Sequence, residues 1–138
     1  MKPTDLMVSD IVSLFDDEGC IIPTKIKEIR GETVIASINS DDIYDELYYE
    51  GIMPIPLTSE ILEKNFFDVS DKEVKRYYFE EDGQCYHFSL RQMYDKENKP
   101  KGYSFYAFNV LTIIDYVHEL QHALRLVGLN DLADNLKI

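Results

Sequence analysis

Val74-Lys75-Arg76-Tyr77-Tyr78-Phe79-Glu80-Glu81-Asp82-Gly83-Gln84-Cys85-Tyr86-His87-Phe88 is the stretch whose reading decides the fold. Its arms are rich in aromatic and β-branched residues, which favour a pleated, half-buried strand. Between them, Asp82-Gly83 is a strong hairpin signal, because both residues tolerate the backbone that a tight turn demands. Strands are therefore expected from Val74 to Phe79 and from Gln84 to Met93. A lysine-rich loop, Asp95 to Gly102, leads into a third strand, Tyr103 to Phe108, which makes an antiparallel β-meander. Aromatics recurring along these strands read as cross-strand packing pairs covered by a helix, in preference to a base-stacking platform. His87, mid-strand, reads as a hydrogen-bonded structural histidine.

The covering helix comes from the recurrence of Val110, Ile113, Val117, Leu120, Leu124 and Val127 at three- and four-residue steps. Gly128 stands where a helix C-terminal glycine belongs, and a short terminal helix is expected from Asn130 to Leu136. Upstream of the meander, Pro54 and Pro56 mark a boundary, since each removes a backbone donor and disfavours helix before it. Thr58 then caps a helix from Ser59 to Lys64, with Asn65 as a left-handed terminator and Phe66-Phe67 as a buried plug.

The first 53 residues read as β. Strands are expected at Ile11 to Phe15, Ile21 to Ile29, Thr33 to Ile38 and Ile43 to Tyr49, joined by tight turns. Strands this short suit a small curled sheet or barrel. Leu6-Met7-Val8-Ser9-Asp10-Ile11-Val12 resembles the L-x-x-G-D-x-V opening of SH3-like and KOW-like barrels, with Ser9 in place of the glycine. That resemblance implies a barrel of a kind that binds peptides, RNA or ribosomal partners, although a fold does not give a function. The expected architecture is α+β: an SH3-like β-barrel over 1–53, then a helix, a β-meander and a C-terminal helix over 54–138, the two parts able to share one core.

One string has the form of a catalytic motif. His118-Glu119-Leu120-Gln121-His122 spells the zinc-peptidase pentad H-E-x-x-H. On a helix, its histidines project from one face toward a shared zinc, and the glutamate acts as base on the metal-bound water. These residues lie away from the apolar stripe, on a face that also carries Asp115 and Arg125 and is expected to meet solvent. A zinc site needs a third protein ligand. The metzincin position for it holds Gly128, and the downstream acids Asp131 and Asp134 belong to the short terminal helix. An upstream thiolate, as in peptide deformylases, would come from Cys85 or from Glu18-Gly19-Cys20. The deformylase glycine-rich motif is absent and the Cys20 spacing is far too long. The reading adopted is a polar helix face, with no catalytic, cofactor-binding or metal-ligating residue assigned; a metallohydrolase is the alternative.

Composition bounds the rest. The chain has 138 residues, 45% of them hydrophobic, which suffices for a core. There is no apolar run of membrane-spanning length and no signal-peptide stretch after Met1-Lys2-Pro3-Thr4-Asp5. Cys20 and Cys85 make no disulfide framework and read as buried thiols in a reducing cytoplasm. The net charge of −12 argues against direct nucleic-acid binding, since phosphates would meet a repulsive field. Lys96, Lys99 and Lys101 are too small a patch to reverse this. The acidic runs Asp16-Asp17-Glu18, Asp41-Asp42 with Asp45-Glu46, and Glu80-Glu81-Asp82 read as solvated surface. Their sharper reading is a DNA-mimicking face that occupies a DNA-binding protein.

Pro54-Ile55-Pro56-Leu57-Thr58-Ser59-Glu60-Ile61-Leu62-Glu63-Lys64-Asn65, together with Tyr116-Val117-His118-Glu119-Leu120-Gln121-His122-Ala123-Leu124, resembles segments of small phage and mobile-element proteins of gut anaerobes. Those proteins carry a P-I-P-L-T-x-E-x-L helix and a C-terminal Y-V-H-x-L-Q helix. The resemblance implies that positions matching Glu119 and His122 vary among polar residues, as in a packing signature, and it brings no activity or cofactor. The expected function is a non-enzymatic cytoplasmic interaction protein of a phage or mobile element. Its partner is a protein, and neither the partner's identity nor the oligomeric state is specified by the sequence.

Overall fold

The computed structural model describes residues 1–15, 18–38, 44–107 and 110–138. It is an α+β protein with two four-stranded antiparallel sheets and a few short helices. The chain divides into two compact units, Met1–Ile55 and Pro56–Ile138.

In the first unit, β1 (Ile11–Phe15), β2 (Ile21–Ile29), β3 (Thr33–Ile38) and β4 (Tyr44–Tyr48) pair in sequential order. Ile43 and the Asp16, Asp17, Asp41 and Asp42 acids lie outside the described residues. A one-residue bulge between Ile26 and Glu28 breaks the β2–β3 register, a device that bends a strand and raises its twist. Leu6, Val12, Ile26, Val34, Ala36, Tyr49 and Ile52 form the core beneath the sheet. No closed barrel is found among the described residues; the four strands form an open order.

The turn that leads into β1 explains the Ser9 position. Ser9 has φ +73°, the left-handed region that glycine enters at least cost. The Asp10 carboxylate accepts the Met7 N–H at 2.7 Å, and the Ser9 N–H donates to the Ile26 carbonyl at 2.8 Å. Asp10 is fully buried. The left-handed turn thus lets a buried aspartate tie the chain before β1 to the edge of β2.

In the second unit, Thr58 accepts the Ile61 N–H at 3.3 Å and starts α1 (Ser59–Lys64), as its capping chemistry predicts. The end of α1 differs from expectation. Asn65 has φ −100° and is not left-handed; Phe66 is, with φ +64°. The Phe66 N–H reaches the Glu63 carbonyl and the Phe67 N–H reaches the Leu62 carbonyl, which is the Schellman pattern with Phe66 at the glycine position. Buried Leu62 and Phe67 stand at the positions whose apolar contact accompanies that motif. The expected plug is therefore half right. Phe67 is buried, whereas Phe66 is 73% exposed, because the left-handed turn swings it outward.

β5 (Glu73–Phe79), β6 (Cys85–Tyr94), β7 (Pro100–Ala107) and β8 (Val110–Ile114) form the second sheet. The meander has four strands where three were expected. Val110 and Ile113, read from periodicity as the start of the helix, lie in β8, and α2 spans Val117–Leu126. Three- and four-residue spacing alone does not distinguish the first turn of a helix stripe from a strand that runs into it. Gly83 and Gly128 both take positive φ, as their turn and helix-end positions require.

Phe88, Leu90, Phe105 and Ile114 are buried, and Phe88 packs against Phe67 and Phe105, each at a 5.5 Å ring separation. The opposite face is open: Tyr77, Tyr106 and Ile113 are about half exposed. Cys85 and His87 share that face through their pairing with Phe79 and Tyr77, and both are exposed. His87 is mid-strand in β6, as expected, and lies against the Tyr77 ring at 5.5 Å. Cys20 is exposed too, so the expectation of two buried thiols is wrong for both cysteines. Asn65 ties the unit together. Its side chain donates to the Ile61 and Lys137 carbonyls and accepts the Lys137 N–H, across 72 residues of sequence.

Candidate functional site

The pentad falls in the first two turns of α2. Val117, Leu120 and Leu124, its apolar stripe, are buried to within 1% of complete, as the stripe predicts. The polar face is only partly solvated. His118 is only 5% exposed, Gln121 is fully buried, and Glu119 and His122 are half-buried. The expectation of an exposed histidine face is overturned for His118, which packs against the Tyr116 ring, and α3 (Asn130–Asp134) folds back on α2. The Gln121 amide donates to the Ala133 carbonyl at 2.8 Å, and Arg125 meets Asp134 at 3.2 Å. A helix with partners on two sides buries more than one stripe, and periodicity reveals only the apolar one.

Glu119 occupies the third position of α2, and one of its carboxylate oxygens, Oε2, accepts the backbone N–H groups of Asp115 (2.7 Å) and Tyr116 (3.1 Å). These are donors at a helix start that have no intrahelical carbonyl to meet, and a glutamate at this position satisfies them in a capping box. Its negative charge also lies at the positive end of the helix dipole. His118 stacks on the Tyr116 ring at 5.9 Å and 15°, and the His122 ring meets the His118 ring edge-on at 5.6 Å. The pentad side chains thus have packing and capping work to do at the start of α2.

Among the described residues, no group of three His, Cys, Asp or Glu side chains is placed to hold a metal ion. Three of the suggested third ligands have other places in the second unit. Asp134 pairs with Arg125, Cys85 is on the open sheet face, and Gly128 ends α2. Cys20 belongs to the first unit.

The acidic runs divide likewise. Glu46 accepts the Thr33 hydroxyl at 2.6 Å and an Arg30 contact at 3.5 Å, so it serves the β3–β4 pairing. Glu80, Glu81 and Asp82 line an open depression of about 470 Å³ with Tyr86, whose hydroxyl donates to Asp82 at 3.0 Å. That bond, followed by burial and the Glu80 charge, pushes the Tyr86 hydroxyl pKa up. In the basic loop, Lys99 pairs with Glu97 at 3.4 Å, so local acids offset the lysines.

Sequence reasoning missed two surface features. One is the open face of the second sheet, carrying Tyr77, Tyr106 and Ile113. The alternation of Tyr77 and Lys75 against buried Val74 was a legible signal for it. The other is Phe66, with the Arg76 guanidinium 5.7 Å and the Lys137 ammonium 6.0 Å from its ring centre. No local sequence signal places Lys137 there. No family model, curated protein or solved structure matches this chain.

Proposed function

We propose that this chain is a non-enzymatic interaction protein of a phage or mobile element that acts in the cytoplasm by binding a protein partner. The observation that carries this reading is the capping role of Glu119, because it gives the glutamate of the one catalytic-looking string a structural use. A metallohydrolase would need this carboxylate to turn from two backbone donors toward a metal-bound water. The open sheet face with Tyr77, Tyr106 and Ile113 supplies aromatic and aliphatic side chains of the sort that anchor protein interfaces. No helix among the described residues is long and apolar enough to cross a membrane.

The first unit is read as SH3-like in kind. Support comes from the segment after β4, where a 3-10 turn (Tyr49–Gly51) is followed by Met53, which exchanges two backbone bonds with Ser13 of β1. That return to the first strand is how a five-element meander starts to close. The left-handed Ser9 supports the same reading, since the motif places glycine there.

A triple variant, Tyr77→Ser, Tyr106→Ser and Ile113→Ser, tests the interaction reading by crosslinking and mass spectrometry in the producing cell. The reading expects a specific crosslinked protein partner that disappears with the triple variant while the fold persists. Hydrolytic turnover by the purified chain, abolished by Glu119→Gln, would replace it with the enzyme reading.

A further inference from the structure

We infer that Phe66, Arg76 and Lys137 form a docking point for a partner-protein segment in which a carboxylate stands beside an apolar side chain. The inference rests on the interaction reading and gives it a site.

Three observations converge on Phe66. It occupies the C-terminal position of a Schellman turn with φ +64°, where glycine is favoured and a bulky aromatic is strained. Strain of this kind, held by surrounding structure, recurs at ligand clamps. The ring is also 73% exposed, the largest exposure among the described large hydrophobic residues. Neither local conformation nor burial accounts for a phenylalanine here. Thirdly, two cations flank the ring, and among the described residues neither Arg76 nor Lys137 forms an ion pair. In a chain with 26 acidic and 14 basic residues, two cations left without carboxylates beside an exposed ring are a local inversion of the field.

The surroundings hold this arrangement in place. Arg76 donates from Nε to the Asn65 carbonyl at 3.0 Å and from a terminal nitrogen to the Tyr77 carbonyl, which fixes the guanidinium plane. Lys137 is fixed through its backbone by the two bonds to the Asn65 side chain. One residue, Asn65, therefore sets the carbonyl that aims Arg76, the backbone position of Lys137 and the turn that precedes Phe66.

Chemistry then selects the occupant. An apolar side chain packs against the Phe66 ring, and a neighbouring carboxylate pairs with the guanidinium or the ammonium beside it. A nucleic acid would offer phosphates to the same cations, but its remaining backbone would run across a chain of net charge −12. A short protein segment needs only a local charge match.

The test uses a capped hexapeptide with two glutamates flanking a leucine and a phenylalanine, a version with both glutamates changed to glutamine, and an octathymidylate. Binding is followed by ¹H–¹⁵N shifts at Phe66, Arg76 Nε and Lys137. The glutamate peptide is expected to shift all three signals, and the glutamine peptide to bind at least about tenfold more weakly. Phe66→Gly should bind at least about tenfold more weakly too, as when an aromatic anchor is lost, while unfolding at or above the wild-type midpoint. Phe66→Asn, also at ease with positive φ, and Lys137→Gln provide second routes to the same loss. Equal binding by Phe66→Gly, or no shift at these residues, overturns the docking point. Preferred binding of the octathymidylate at the same residues overturns the choice of occupant. A partner crosslink lost through the sheet-face variant but unaffected by Phe66→Gly would leave the interaction reading standing and remove this site alone.

Discussion

The Glu119 carboxylate lies 2.7 Å from the backbone nitrogen of Asp115, four residues before it, and closes the turn from which α2 starts. That bond, with its 3.1 Å companion to Tyr116, gives the glutamate of the pentad a structural use. The first prediction follows from it. Glu119→Ala should cost about 0.5–2 kcal/mol, the range for a lost N-terminal cap, and Glu119→Gln should cost less because an amide oxygen still accepts. Urea unfolding of the two variants against wild type measures the order.

His118 and His122 should separate in stability. His118 is 5% exposed beneath the Tyr116 ring, so His118→Ala leaves a void and should cost about 2 kcal/mol or more. Leu120→Ala, at 1% exposure, should cost about 2–5 kcal/mol. His122→Ala, half-buried, should cost least of the three. If His118→Ala is silent, the packing of His118 against Tyr116 does not stabilise the fold as described.

Left-handed positions give predictions of opposite sign. Ser9→Gly should stabilise the protein by about 0.5–1 kcal/mol, because φ +73° strains serine more than the added backbone freedom of glycine costs. Gly102→Ala should do the reverse. Its added carbon would lie 2.0 Å from an Asp115 carboxylate oxygen and 3.0 Å from the Ile114 carbonyl, at φ +56°. Thermal unfolding of both variants supplies the comparison.

Alkaline stability should depend on Tyr103. Burial, followed by the Glu60 and Tyr94 charges, pushes its hydroxyl pKa up. A raised pKa means that the fold prefers the neutral phenol, so this contribution is intact below the unfolded value of about 10 and is lost as pH climbs through the folded one. Tyr103→Phe should therefore flatten the fall in melting temperature above about pH 10 relative to wild type. Parallel curves for the two proteins would show that Tyr103 does not carry it.

The elements legible in the sequence were those whose chemistry is local. Thr58 caps α1 because a threonine hydroxyl reaches the N–H three residues on, and nothing distant is needed. β1, β2 and β3 begin and end where turn residues interrupt β-formers. What escaped depended on distant partners. Part of the polar face of α2 is buried because α3 returns to bond Gln121 and Arg125, and no pattern within α2 encodes that return. Asn65 was expected to be left-handed, yet its amide is held by Lys137, 72 residues away, and the left-handed turn passes to Phe66. Val110 and Ile113 kept helical spacing while lying in β8, since strand pairing with β7 overrode the local pattern.

His118-Glu119-Leu120-Gln121-His122 builds the start of α2, and the proposed function holds that it binds no zinc. Zinc-linked unfolding tests it most directly, because a metal that binds only the folded state raises stability by mass action, about 2.7 kcal/mol at a hundredfold excess over its dissociation constant. The urea midpoint is expected to be the same in chelator and in zinc, and to be lowered by Glu119→Ala in both. A zinc-dependent rise in the midpoint that vanishes in His118→Ala and in His122→Ala would contradict it.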